Sequence, residues 1–176
     1  MLIFAYCTAP AKEAVARAVG VEPYTSPPWM ATRFDLSLLI GNDLLYFRLH
    51  QAGAFTDLWL GEKEDGGLVP ALRADQLEGL DIGSPVVLIA NCYGDEGPFV
   101  PAFYRAGARA VIAAPGPNWA AGNMVIGTDL LAKWLIWGLR HRWPVQRALT
   151  MAKLRLMATA WRVSDRDALE FKIMEG

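Results

Sequence analysis

Sulfur and imidazole are scarce in this chain, which has two cysteines, Cys7 and Cys92, and two histidines, His50 and His141. The cysteines follow no CxxC or disulfide-framework spacing, which excludes a stapled fold and fits a reducing compartment. The histidines stand far apart with no ligand spacing, so no metal and no cofactor are expected. Charge is scarce as well. Asp, Glu, Lys and Arg make up 20% of the residues and the formal net charge is −1, which excludes binding to nucleic acid or a membrane surface through bulk charge. Long apolar runs are missing: the most apolar helical stretch, Leu130 to Leu139, carries Lys133 and is too short to span a bilayer. Met1 leads straight into Leu2-Ile3-Phe4 without a basic leader, and the expected setting is the cytoplasm. Internal repeats and low-complexity tracts are absent too.

What is present is core. Apolar residues make up 53% of 176, enough for one domain over 1–176 with a sizeable interior. Seven tryptophans suit core and groove lining.

Strands and helices alternate along the chain. Leu2 to Thr8 reads as a strand and Ala11 to Val19 as a helix closed by Gly20. Val21 to Ala31, with Pro23, Pro27 and Pro28, reads as a loop, and Arg33 to Ile40 is ambiguous. Leu44 to Leu49 is a clear strand running into His50. Asp57 to Gly61 suits one arm of a hairpin turning near Glu64-Asp65-Gly66-Gly67, and Arg73 to Leu80 suits a helix. Val86 to Ala90 is a short apolar run bounded by turn signals, as in a buried parallel strand. After it come a helix (Pro98 to Arg105), a strand (Ala110 to Ala114), two helices (Thr128 to His141 and Val145 to Thr159) and a last strand (Ala168 to Met174). This order predicts a three-layer α/β/α sandwich on a mostly parallel sheet of five to six strands.

Two reactive side chains then fall at comparable places. His50 and Cys92 each stand just past a predicted central strand, at the sheet edge where open α/β folds bind ligands. If the two strands are neighbours, an imidazole and a thiol project together. A thiol paired with a base can attack a carbonyl carbon. The attack needs backbone donors for the oxyanion, and the N–H groups of Cys92 and Gln51 are the candidates. Cys7, inside the first strand, reads as core. His141, at a helix end between Arg140 and Arg142, reads as structural.

The sequence resembles the caspase-like (clan CD) cysteine peptidases, nearest the CHAT branch. The resemblance rests on the order His50…Cys92, on Val86-Val-Leu-Ile-Ala-Asn-Cys-Tyr-Gly94, on Ala102-Phe-Tyr-Arg-Ala-Gly-Ala-Arg-Ala-Val-Ile112, and on the two late helices with Val145-Gln-Arg-Ala148 opening the second. It covers roughly residues 44 to 176. It implies a cysteine endopeptidase with Cys92 as nucleophile and His50 as base, acting on a peptide or protein substrate. An activating protein partner, or a homodimer through the terminal strand, fits the same resemblance. Asp57, Asp95, Asn118 and Trp119 are candidate substrate-binding residues, and Asp57, Asp95 and Glu96 lead to an expectation of Arg or Lys before the scissile bond. The resemblance also implies a glycine directly after the histidine. Here Gln51 stands there, so Gln51→Gly is expected to raise the rate, and a catalytically silent regulatory or binding module is the alternative function. A third reading is a class I amidotransferase-like thiol enzyme, which would pair Cys92 with His141.

Overall fold

The computed structural model of the chain describes residues 1–51, 53, 56–118, 124–159 and 166–176. Its centre is a six-stranded sheet of order β2-β1-β3-β7-β8-β9. The strands are β1 (Ile3–Thr8), β2 (Tyr24–Ser26), β3 (Leu44–Arg48), β7 (Val86–Ile89), β8 (Ala110–Ala113) and β9 (Lys172–Ile173). All neighbours pair in parallel except β8 and β9. The expected mostly parallel sheet of five to six strands is the one found.

Alternation along the strands sorts the core into two layers. Ala5, Cys7, Leu44, Tyr46, Val86, Leu88 and Ile112 face the helices α1 (Lys12–Val19), α3 (Thr128–Arg140) and α4 (Val145–Thr159). Phe4, Tyr6, Leu45, Phe47, Val87, Ile89 and Val111 face the other way. That second face is covered by the short helix α2 (Phe99–Arg105) and by a small antiparallel sheet of β4 (His50–Gln51), β5 (Leu58–Glu62) and β6 (Leu68–Arg73). One outer layer is therefore helical, and the other is part helix and part hairpin.

The hairpin follows from its residues. Trp59 is fully buried and stacks on Phe99 with ring centroids 3.8 Å apart. Its neighbours in the strand, Leu58 and Leu60, are partly exposed. Gly61 lies so close to Ser26 that a Cβ there would collide with it, which lets β5 cross over the end of β2.

Four local expectations change. The stretch 21–31 contains the edge strand β2, which has three residues, too few to carry a periodicity of its own; pairing with β1 makes it a strand. Arg73 to Leu80 is not a helix but a single 3-10 turn, Ala74–Leu77, entered from β6 and capped by Gln76 Oε1, which accepts from Arg73 N at 2.9 Å. Arg33 to Ile40 resolves as a 3-10 turn, Leu36–Leu39, whose Asp35 side chain accepts from Ser37 N at 3.0 Å. Ala168 to Met174 is a 3-10 turn, Ala168–Glu170, followed by the two-residue β9. There the two fully buried residues are Ala168 and Phe171, three apart as a turn places them, and this outweighs the alternation of Leu169, Phe171 and Ile173.

Candidate active site

β3 and β7 are adjacent and parallel, with Phe47 opposite Ile89. The pairing continues past the strands: Ala90 N donates to Phe47 O at 2.7 Å, and Leu49 N donates to the Asn91 side-chain oxygen, also at 2.7 Å. Asn91 thus extends the ladder by one step with its own carboxamide. The next residues along the two strands are His50 and Cys92, and both line one cleft of about 320 Å³. The cleft lies at the C-terminal edge of the sheet, where sequence reasoning put it.

Past that edge the two residues are held differently. His50 opens β4 and pairs with Leu60 of β5. Glu62 lies two residues further along β5, on the same face as Leu60, and its Oε2 is 2.8 Å from His50 Nε2. This leaves Nδ1 as the ring nitrogen open to a second partner. Cys92 sits on a loop whose next residue, Tyr93, has φ of 53°, an uncommon conformation for a residue with a side chain. Tyr93 is kept there from both sides: its N–H donates to Gly116 O at 2.6 Å, and its carbonyl accepts from Gln51 Nε2 at 2.9 Å. The Cys92 sulfur accepts from Asn118 N at 3.3 Å.

The side chain of Gln51 is a finding of the structure. It is buried, its Oε1 accepts from Trp59 Nε1 at 3.0 Å, and its Nε2 donates to the Tyr93 carbonyl. It therefore ties the hairpin to the nucleophile loop. Gln51 itself is an ordinary strand residue; the positive φ in this segment is taken by Gly53, whose N–H is already bonded to Gln51 O at 3.0 Å.

Asn118 lines the cleft. Its Nδ2 donates to Ala90 O at 2.6 Å and its Oδ1 accepts from Thr128 at 2.7 Å, so its side chain braces the cleft wall. Trp119 lies outside the described residues. Asp57 and Asp95 are placed elsewhere. Asp57 is ion-paired with Arg73 on the hairpin at 2.9 Å, and Asp95 faces Lys172 at 3.7 Å, and neither lines the cleft. Proximity in sequence to His50 or Cys92 was their only claim, and a cation has captured each of them. His141 is at the far end of α3, its Nδ1 2.7 Å from Trp137 O and its ring against Trp137, so it makes no pair with Cys92.

Two charged residues of the cleft escaped the sequence reading. Glu62 lies one residue past the strand arm read as Asp57 to Gly61. Arg48 is the other. Its side chain points to the helical face, where it forms a buried salt bridge with Asp129 in the first turn of α3. Tyr46 OH donates to the other oxygen of the same carboxylate at 2.6 Å. Burial pushes the Asp129 carboxyl up, opposed by the pull of Arg48 and Tyr46. A lone arginine in the apolar run Leu44-Leu-Tyr-Phe-Arg-Leu49 was the available signal, because a buried cation needs a partner. Among the described residues no group of His, Cys, Asp and Glu is arranged to hold a metal ion.

No family model and no curated protein sequence matches the chain. Among solved structures it is similar to the crystal structure of the Arg-specific cysteine proteinase gingipain R, with a TM-score of 0.60 at 13% sequence identity. The match covers 94% of this chain and 44% of that one, so the chain spans less than half the length of the proteinase. At this identity the likeness is one of fold: the α/β fold of the caspase-like cysteine peptidases. It does not single out the CHAT branch.

Proposed function

We propose that the chain is a caspase-like cysteine endopeptidase domain in which His50 and Cys92 form the catalytic dyad. The observation that carries this reading is that the two residues follow adjacent parallel strands at the same level and open on one cleft, with Glu62 behind the imidazole. Glu62 accepts a hydrogen bond from Nε2–H and so holds the tautomer whose Nδ1 is the base. Nδ1 takes the Cys92 thiol proton. The sulfur attacks the scissile carbonyl carbon, a C–S bond forms, and the carbonyl π pair moves to oxygen. The N–H groups of Cys92 and Gln51 are the proposed donors to that oxyanion. Collapse breaks the C–N bond, and the imidazolium returns its proton to the leaving amine. Water, deprotonated by the same imidazole, then hydrolyses the thioester and restores the thiol.

The substrate class is a peptide or protein, and a reducing, cytoplasmic setting keeps Cys92 a free thiol. Activation by a protein partner and pairing of two copies along β9 are subordinate to this reading, and rates measured across protein concentration test the second. A catalytically silent binding module is the competing reading. It is favoured by one observation, the glutamine where the resemblance implies glycine. The experiment is reaction of the protein with a peptide bearing an electrophilic warhead, followed by mass mapping. Modification of Cys92 that is lost in His50→Ala supports the peptidase; an inert Cys92 in the folded protein supports the silent module.

A further inference from the structure

Arg48 lines the cleft and is itself buried. It lies opposite Cys7 of β1, and it follows Phe47, which pairs with Ile89 of β7 and accepts from Ala90 N. Thr8, Pro10, Ala11 and Ala90 complete this part of the lining. These are small side chains, so room is left over the guanidinium. An arginine has five N–H donors. One of them goes to Asp129.

The charges decide what the space can accept. Asp129 is already matched by one cation, since its Oδ2 accepts from Arg48, and its Oδ1 accepts from Tyr46. A lysine or arginine side chain entering here would meet the Arg48 guanidinium first. A carboxylate would meet donors, but Arg48 is already neutralised by Asp129, and Glu62 at the mouth adds a further negative charge. A second buried carboxylate would then lack a counterion of its own among the described residues of the cleft. A carboxamide avoids both penalties. Its oxygen accepts from Arg48, its NH₂ can donate to the Thr8 hydroxyl, and it brings no charge.

We propose that Arg48 is the specificity-determining residue of the cleft and that the space above it takes an Asn or Gln side chain at the position preceding the scissile bond. The proposal rests on the peptidase reading for what happens next to that side chain, but not for its binding. It replaces the expectation of Arg or Lys, which relied on Asp57, Asp95 and Glu96, the first two of which the structure pairs elsewhere.

Two measurements separate this proposal from the peptidase reading. The first is binding of fluorescein-labelled tetrapeptides, varied only at the last residue, to the Cys92→Ala protein by anisotropy. Peptides ending in Asn or Gln should bind about tenfold or more tightly than those ending in Arg, Lys or Asp, the range a hydrogen-bonding site can enforce. The second is cleavage of the matching fluorogenic amides by the wild-type protein, which should follow the same order. Arg48→Met unmasks Asp129 and should move the preference to Lys and Arg. Because that variant leaves a buried carboxylate unpaired, it is accompanied by the double variant Arg48→Met, Asp129→Asn, which should bind Gln and Lys peptides alike. Tighter binding of Lys or Arg peptides by Cys92→Ala, an order unchanged in the double variant, or no peptide binding at all would overturn the proposal while leaving dyad chemistry to be judged by warhead labelling. Binding in the expected order without cleavage would uphold it and remove the peptidase.

Discussion

The two cysteines belong to one sheet and differ in where they stand, Cys7 inside a strand and Cys92 past the end of another. Cys7 is inside β1, under α1, with no solvent exposure; burial pushes its thiol up to about 12. Cys92 is one step past the ladder of β7, partly exposed, beside an imidazole-lined cleft and with a backbone N–H directed at its sulfur. In the middle of a parallel sheet every backbone group is spent on neighbours and side chains are sealed by helices. At the C-terminal edge the ladder stops, loops diverge, and N–H groups become available to a ligand. Position along the strand, rather than residue type, separates an inert thiol from a candidate nucleophile.

Substitution of the two thiols gives the largest contrast. Cys92→Ala should lower peptide cleavage by about a thousandfold or more, as loss of a nucleophile does, with little change in Tm. Cys7→Ala should retain cleavage and lose about 1 kcal/mol of stability, the cost of a small core truncation. Parallel cleavage assays and thermal melts check both. Equal losses of activity in the two variants would erase the distinction between centre and edge.

A smaller effect is expected from Glu62→Gln. Removing a charge-assisted hydrogen bond to the imidazole costs about 1.5–3 kcal/mol, so kcat should fall roughly 10- to 100-fold with KM little changed. Steady-state kinetics over a range of pH read the split. Unchanged kcat would make the His50–Glu62 contact a surface ion pair, with no part in catalysis.

Gln51 sharpens the comparison at the edge itself. Its carboxamide spans Trp59 and the Tyr93 carbonyl, so it positions the nucleophile loop from the hairpin side. Gln51→Gly, expected from the sequence to speed the reaction, should instead slow it by about tenfold, the value of one or two lost hydrogen bonds. The effect should appear in kcat rather than KM, and Gln51→Glu should recover part of it, because Glu keeps an acceptor for Trp59. Single-turnover cleavage by the three proteins decides. A faster Gln51→Gly protein would restore the view that this position only lacks a glycine.

The smallest effect concerns the sealed thiol. Above pH 9 the unfolded Cys7 releases its proton while the folded thiol keeps it up to about 12. The folded state then holds more protons, and stability falls as pH rises, by about 1.4 kcal/mol per pH unit for one group. Urea unfolding at pH 9 and pH 10 should show the wild type losing about 1 kcal/mol more than Cys7→Ala. Identical slopes would mean that Cys7 ionises alike in both states.

Much of this fold could be read from the residues. The runs Leu44–Leu49 and Val86–Ala90 were legible as neighbouring buried strands, and with them the juxtaposition of His50 and Cys92, because continuous β-branched and aromatic runs have few alternatives in an α/β chain. The helices ending at Val19 and Thr159 were legible from their periodicity and from the Gly20 stop. The hairpin was visible as a turn at Glu64 to Gly67 but not as a cover for the sheet. That role depends on Trp59 stacking against Phe99, which is distant in sequence. β2 was hidden for the same reason, since three residues become a strand only when a neighbour offers a ladder, and the last strand, though legible, is shorter than its alternation suggested.

The sequence by itself determined the alternation of strands and helices, the parallel centre of the sheet, and the placing of one imidazole and one thiol just beyond two central strands. Those are local consequences of periodicity and of turn residues. Only the tertiary structure decided which charges stand at the cleft. Asp57 and Asp95 are drawn off to Arg73 and Lys172, whereas Glu62 and the Arg48–Asp129 pair are brought in. The physical reason is that a charge pairs with whichever opposite charge the fold packs nearby, and a buried one, such as Arg48 or Asp129, leaves water only when such a partner meets it.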